Sequence, residues 1–160
     1  MTISVGDRMP EGSFGIMTGD GPGSISTGEL CAGKKVVLFA VPGAFTPTCS
    51  MSHLPGYVEH ADAILSKGVD TIACMSVNDV FVMDAWGKDR SAGDKVMMLA
   101  DGNGDITQAL GLELDASGFG MGQRSQRFAL VIDDGVVSQV HIEAPGEFKV
   151  SAAEAIINSL

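Results

Sequence analysis

The sequence predicts an α/β protein with a mixed central sheet flanked by helices. Short apolar runs, typical of buried strands, alternate along the chain with longer segments that carry helical apolar spacing. An Asp134-Gly135 dipeptide joins the last two strand-like runs, which indicates a tight hairpin and hence an antiparallel pair. Strands separated by helices, followed by a hairpin and a terminal helix, favour a sheet with helices on both faces.

The elements begin with a glycine-rich section in which residues 13–18 and 24–27 are expected to form an N-terminal β-hairpin. The predicted strands and helices that follow are strands 36–41, 71–77, 96–100, 128–133 and 136–143, and helices 49–67, 79–90, 105–111 and 151–160. This order matches a thioredoxin-like fold. With 160 residues and no internal repeat, we expect a single domain over residues 1–160.

Composition excludes several classes of partner. Twenty acidic residues against 10 basic ones give a net charge of −10, which argues against nucleic acid and anionic membrane surfaces. No run approaches the roughly 20 apolar residues of a membrane span, and the N-terminus lacks a basic region followed by a hydrophobic one. The sequence therefore predicts a cytoplasmic protein that binds neither nucleic acid nor membranes.

Three cysteines are too few and too irregularly spaced for a secreted disulfide framework, and no CxxC pair indicates zinc. We expect neither a metal nor a cofactor. Cys31 lies in a short helical turn, where it is expected to serve as structural packing. The remaining roles for cysteine are a buried or a reactive thiol.

Cys49 is the candidate reactive thiol. The run from Pro42 to Cys49 follows an apolar strand, and Cys49 stands where a helix is predicted to start. Unpaired backbone N–H groups and the helix dipole favour a thiolate there, and the thiolate is the nucleophile. A helix terminus contributes about 0.3–1 kcal/mol, whereas ionising most of a thiol at neutral pH needs about 3 kcal/mol. A nearby cation is therefore required.

The segment that follows a glycine-rich loop at 118–122 supplies two candidate cations, Arg124 and Arg127. Arginine stays protonated and presents a rigid fork of donors, which suits a thiolate and an incoming oxygen together. We favour Arg124 over Arg127 as the cation.

The block PGAFTPTCSMSHLPGY, from Pro42 to Tyr57, resembles the peroxiredoxins, specifically the type II or peroxiredoxin-five-like subfamily. The family's motif has proline, threonine and cysteine at the positions of Pro42, Thr46 and Cys49. Further matches occur in the family's order and extend over nearly the whole chain, at residues 76–79, 81–83, 85–86, 99–104 and 109–112, and at Arg124, Arg127 and Phe128.

The resemblance implies a thiol-dependent peroxidase with roles in antioxidant defence and redox homeostasis. Cys49 would attack hydrogen peroxide or an organic hydroperoxide and become a sulfenic acid. Thr46 would hydrogen-bond both thiolate and peroxide, and Arg124 would stabilise the developing charge. Pro42 would shield the thiolate from water, and His53 is similar to a histidine that helps to position the arginine.

The resemblance leaves open how the sulfenic acid of Cys49 is reduced back to the thiol. Cys74 resembles the second cysteine of plant type II enzymes and lies 25 residues after Cys49. Its surroundings also read as a core strand, and a disulfide needs Cα atoms within about 7 Å. We expect an external reductant instead, glutathione with glutaredoxin or else thioredoxin. The subfamily also suggests a homodimer, with Phe45, Trp86 and the loop around Phe119 as contacts.

Two other functions remain open from the residues alone. A cysteine hydrolase or acyl transferase would need a neighbouring general base, for which His53 and His60 are the candidates. A peroxide sensor or redox interaction module would form the same sulfenic acid without turning over.

Overall fold

The strands form where apolar and β-branched residues run together, and they assemble into one large sheet. The computed structural model describes residues 1–160. Its strands are β1 (Ser13–Thr18), β2 (Gly21–Ser26), β3 (Lys35–Ala40), β4 (Thr71–Ser76), β5 (Met97–Ala100), β6 (Glu113–Asp115), β7 (Gln123–Ser125), β8 (Phe128–Asp133) and β9 (Val136–Ile142). A separate two-stranded sheet pairs β6 with β7.

The seven-stranded sheet has the order β2-β1-β5-β4-β3-β8-β9. The β3–β4 and β4–β5 pairs are parallel. The β1–β2, β1–β5, β3–β8 and β8–β9 pairs are antiparallel. The predicted mixed sheet is therefore confirmed. Asp134 and Gly135 turn the chain between β8 and β9 with positive φ angles of 49° and 81°, which a tight hairpin of this kind requires.

Helices cover both faces of the sheet, as predicted. They are α1 (Thr27–Cys31), α2 (Leu54–Glu59), α3 (Ala61–Leu65), α4 (Val80–Asp89), α5 (Asp105–Leu110) and α6 (Ala153–Ser159). Residues from α2, α3, α4 and α6 form one apolar layer with the sheet, which we call the α2 layer. Residues from α1 and α5 form the opposite layer, the α1 layer. None of these helices has both the length and the apolar character needed to cross a membrane.

Two predicted boundaries were wrong. The second strand of the N-terminal hairpin covers Gly21–Ser26 instead of 24–27, because Ser26 caps α1 and forms a reciprocal capping box with Glu29. The helix predicted over 49–67 is divided into a π-helical turn (Cys49–His53), α2 and α3. A break at His60, where φ is −97° and ψ is 9°, separates the last two pieces.

Candidate active site

The loop after β3 presents Cys49 at the first position of the π-helical turn, where its side chain is buried. The backbone N–H of Ala44 donates to the side-chain oxygen of Asn78 at 3.0 Å, and the Ser76 hydroxyl donates to the same oxygen at 2.6 Å. The N–H of Ser50 donates to the carbonyl of Thr46 at 2.9 Å. The end of β4 therefore fixes the loop that leads into Cys49.

Arg127 is the cation at the thiol. Its Nη2 lies 3.0 Å from Cys49 Sγ, and its Nη1 lies 2.8 Å from His53 Nδ1. The choice of Arg124 over Arg127 for this position is thereby corrected. Arg124 instead donates from Nε to the carbonyl of Met121 at 2.9 Å, and its Nη1 lies beside Gly43. Arg124 thus supports the loops around the site without contacting the sulfur.

Strand alternation is the signal that distinguishes the two arginines. Within β8, Phe128 and Leu130 face the α1 layer, whereas Ala129 and Val131 face the α2 layer, which contains Cys49. Side chains two residues apart share a face, so continuing the pattern backwards puts Arg127 on the side of Cys49. Arg124 belongs to β7, which is part of the small separate sheet.

His53 is buried and neutral. Burial, followed by the positive charge of Arg127, lowers the pKa of His53 to about 3. A guanidinium can only donate, so Nδ1 must accept from Arg127 and the ring proton must lie on Nε2. Nε2 lies 3.1 Å from the carbonyl oxygen of Ser151, to which it therefore donates. Both ring nitrogens of His53 are engaged.

The Ser151 carbonyl is itself held by several neighbours. The hydroxyl of Tyr57 donates to it at 2.7 Å. One oxygen of Glu143, Oε2, accepts from the Ser151 N–H at 2.9 Å, from the Ser151 hydroxyl at 2.6 Å and from the Lys149 N–H at 2.7 Å. Sequence reasoning assigned no role to Ser151, Glu143 or Asn78, although Asn78 lies within the matched block at 76–79.

Pro42 and Thr46 lie on the loop before Cys49. The Thr46 hydroxyl donates to the carbonyl of Gly43 at 2.7 Å, so its proton is not directed at the Cys49 sulfur, contrary to the expectation that Thr46 hydrogen-bonds the thiolate. Its oxygen lone pairs are left to accept from a bound molecule. Pro42, Thr48 and Arg127 line a cavity of about 570 Å³, and Arg127 links this cavity to the buried thiol. The apolar side chains of Leu114 and Phe119 line the same cavity.

The other two cysteines differ in their relation to Cys49. Cys74 is buried in β4 and belongs to the α2 layer with Cys49. Burial, and then the proximity of Cys49, raise the pKa of Cys74 well above its ordinary value. Cys31 lies in the α1 layer, where burial raises its pKa to about 11. All three thiols are free.

The arrangement can stabilise a thiolate at Cys49 and a second negative charge beside it, because one guanidinium faces the sulfur at the edge of a cavity. His60, the other candidate base, lies 3.7 Å from Glu154. No group of three or more His, Cys, Asp or Glu side chains is arranged to hold a metal ion.

Comparison with known proteins shows the family of this chain. The Redoxin family model matches residues 4–157. Peroxiredoxin-2B of Arabidopsis thaliana is 52% identical over 159 residues, which cover 99% of this chain and 98% of that protein. The hybrid peroxiredoxin hyPrx5 of Haemophilus influenzae is 40% identical over 163 residues, covering 100% of this chain and 67% of that protein.

Among solved structures, reduced Prx3 of Vibrio vulnificus in complex with hydrogen peroxide is 53% identical. It superimposes with a TM-score of 0.95 and covers 99% of each chain. The chain therefore belongs to the Redoxin family and, within it, to the type II, peroxiredoxin-five-like peroxiredoxins. It is a thiol peroxidase with a thioredoxin-like fold, as the sequence predicted.

Proposed function

We propose that Cys49 is the thiol that reduces the peroxide and that Arg127, Thr46 and Pro42 form its immediate catalytic surroundings. The observation that carries this proposal is the Arg127 guanidinium, which bridges Cys49 Sγ at 3.0 Å and His53 Nδ1 at 2.8 Å. A planar guanidinium held at its far side by His53 faces the sulfur in a fixed orientation. It therefore needs little reorganisation when charge moves during the reaction.

In the proposed reaction, the Cys49 thiolate attacks the terminal oxygen of a hydroperoxide. A sulfur–oxygen bond forms and the oxygen–oxygen bond breaks, so the sulfur is oxidised to a sulfenic acid. The remaining oxygen leaves as an alkoxide or hydroxide and takes up a proton to give an alcohol or water. Negative charge passes from the sulfur to the leaving oxygen, and Arg127 stabilises it at both positions.

Thr46 and Pro42 act on the peroxide in this proposal. Because the Thr46 hydroxyl proton is directed at the Gly43 carbonyl, its oxygen would accept a hydrogen bond from the peroxide O–H. Pro42 lies on the wall of the cavity next to Arg127 and would limit water at the thiolate. The apolar side chains of Leu114 and Phe119 in that wall suit the carbon chain of an organic hydroperoxide.

The sulfenic acid would be reduced by an external thiol, either glutathione with glutaredoxin or thioredoxin. Burial of Cys74 in a central strand supports this route, because the raised pKa of that thiol disfavours the thiolate needed for attack. A free-thiol chain of this kind fits the reducing cytoplasm, which we propose as its location.

The test compares Cys49→Ser and Cys74→Ser with the unaltered protein in steady-state peroxide consumption, with each reductant system supplied in turn. We expect Cys49→Ser to lose turnover and Cys74→Ser to keep most of the glutaredoxin-supported rate. If Cys49→Ser consumes peroxide normally, the proposed role of Cys49 fails. If a folded Cys74→Ser loses turnover, Cys74 is the resolving thiol and the external route fails.

The hydrolase alternative is disfavoured by the state of His53. Both of its ring nitrogens are engaged, and a pKa of about 3 prevents it from taking up a proton near neutral pH. A peroxide sensor without turnover would appear in the same assay as a single round of Cys49 oxidation with no steady state.

A further inference from the structure

Glu143 is a buried carboxylate that lies beyond the groups that contact the sulfur. It stands at the end of β9, where its backbone N–H donates to the carbonyl of Arg127 at 3.0 Å. Its Oε2 collects the three hydrogen bonds from Ser151 and Lys149, while its Oε1 is buried without a partner. Three donors of the segment from 149 to 151 therefore converge on one oxygen of a carboxylate that also lines the cavity beside Arg127.

The loop that contains this segment, residues 148–151, brings two groups to the active site. The Ser151 carbonyl accepts the Nε2 proton of His53 and so fixes which ring nitrogen faces Arg127. The ring of Phe148 packs against His53, with ring centroids 4.9 Å apart, and lies 5.8 Å from the guanidinium carbon of Arg127. His53 and Arg127 are therefore both contacted by residues of one loop.

We propose that Glu143 is a positioning residue for the peroxidase reaction, acting through Ser151 and His53 on the guanidinium of Arg127. The proposal rests on the roles assigned above to Cys49 and Arg127. A hydrogen bond to a charged acceptor is stronger than a neutral one, and three of them converge on a single oxygen. The carboxylate thus sets the position of a backbone carbonyl three contacts away from the sulfur.

Loss of the Glu143 carboxylate would disturb these contacts one after another, first at Ser151, then at His53 and finally at Arg127. Ser151 is buried, so its N–H and hydroxyl would be left without an acceptor if they stayed in place, which is unfavourable. The segment would shift to satisfy them and carry the carbonyl with it. His53 would then lose the partner that fixes its tautomer, and Arg127 would lose its anchor on the far side of the thiolate.

The test measures the pH profile of Cys49 alkylation by iodoacetamide, together with the rate constant of its oxidation by hydrogen peroxide. The variants are Glu143→Ala, Glu143→Gln and Ser151→Ala. Every protein also carries Cys74→Ser, so that Cys49 is the only cysteine in the α2 layer. The matched control is Glu154→Ala, which removes an exposed carboxylate from α6. Circular dichroism and the melting temperature establish folding.

We expect Glu143→Ala to move the alkylation midpoint to higher pH and to slow peroxide oxidation between ten- and a hundredfold, as for a misplaced catalytic group. Glu143→Gln keeps an acceptor oxygen and should stay within about threefold of the parent protein, while Ser151→Ala should show a smaller shift in the same direction as Glu143→Ala. Glu154→Ala should leave both measurements unchanged.

A folded Glu143→Ala protein with an unchanged midpoint and rate would overturn the proposal, even if its melting temperature fell, because Glu143 would then act on stability alone. If Glu143→Ala does not fold, Ser151→Ala decides, and an unchanged midpoint there has the same meaning. Failure of the proposed chemistry is distinguishable: parent Cys49 would then be alkylated normally but would not react with hydrogen peroxide.

Discussion

Trp86 donates its indole N–H to the hydroxyl of Ser50 at 2.8 Å, which ties helix α4 to the residue that follows Cys49. Both side chains are buried, so the bond is shielded from water. The π-helical turn that begins at Cys49 is therefore anchored on one side by Trp86 and on the other by the contacts of His53.

Trp86 should report the redox state of Cys49, because it is the only tryptophan in the chain. A sulfenic acid adds an oxygen in a buried position and should displace Ser50 relative to the indole. We expect a change in intrinsic fluorescence when peroxide is mixed with reduced protein, with a rate proportional to peroxide concentration. Cys49→Ser should show no change. Constant fluorescence while mass analysis detects the sulfenic acid would refute this coupling.

Arg127 should matter far more than Arg124 for reaction with peroxide. Removing a donor that stabilises transition-state charge costs roughly 10²–10³ in rate, and we expect a loss of that size for Arg127→Gln. Arg127→Lys should recover little, since an ammonium lacks the rigid fork that bridges Cys49 and His53. Stopped-flow oxidation is the measurement. The matched control, Arg124→Gln, should lose less than about tenfold, and the reverse ranking would contradict the assigned position.

His53 should make the protein less stable as the pH falls. Its pKa is about 3 when folded, against an ordinary value of 6.5, so between these values only the unfolded chain binds the proton. The stabilisation is complete above pH 6.5 and declines as the pH falls towards 3. From about pH 7.5 to about pH 5, the free energy of unfolding should drop by about 2 kcal/mol from this group.

Urea unfolding at the two pH values checks this expectation, with His53→Gln as the comparison. Burial also lowers the pKa of His141, which contributes in the same direction in both proteins. The pH-dependent loss should therefore shrink in His53→Gln without vanishing. An equal loss in the two proteins would mean that His53 is accessible to protons in the folded state.

We propose that two aromatic rings near the site contribute to the homodimer expected from the sequence. Phe45 is 50% exposed and Phe119 is 87% exposed, whereas Trp86 is buried and so cannot itself be a contact, contrary to the sequence-based expectation. We expect Phe119→Ser to weaken self-association at least tenfold in sedimentation experiments, because a large apolar side chain would be lost from the interface. Val5→Ser, a change at another exposed apolar residue, should not. Equal sedimentation of all three proteins as monomers would refute the dimer.

The sheet could be predicted from the sequence because the features that define its strands and its hairpin are formed by residues close together in the chain. The buried strands are continuous apolar runs, and the Asp134-Gly135 hairpin uses residues that accept positive φ. The π-helical turn could not be predicted, because it depends on contacts that Ser50 and His53 make with Trp86 and Ser151, which are distant in sequence.

The candidate site was predictable to a similar extent. The motif around Cys49 indicates the candidate thiol and its loop, and the need for a cation follows from electrostatics. The choice between Arg124 and Arg127 depended on the small sheet that contains β7, whose two three-residue strands the sequence did not predict, whereas β8 was predicted at its observed bounds. The Ser151 carbonyl is a backbone group, so no residue type reveals its role.

The alternation of side chains along β8 has a consequence for how this enzyme can change over time. Cys49 and Arg127 meet because both lie on the α2-layer side of the sheet. Successive side chains of a strand point to opposite faces, so Arg127 lies on this side only because it is an even number of residues from Ala129 and Val131. A single-residue insertion at the start of β8 would turn Arg127 towards the opposite layer. We therefore expect insertions and deletions to be tolerated in the loops and not at this end of β8, where they would separate Arg127 from Cys49.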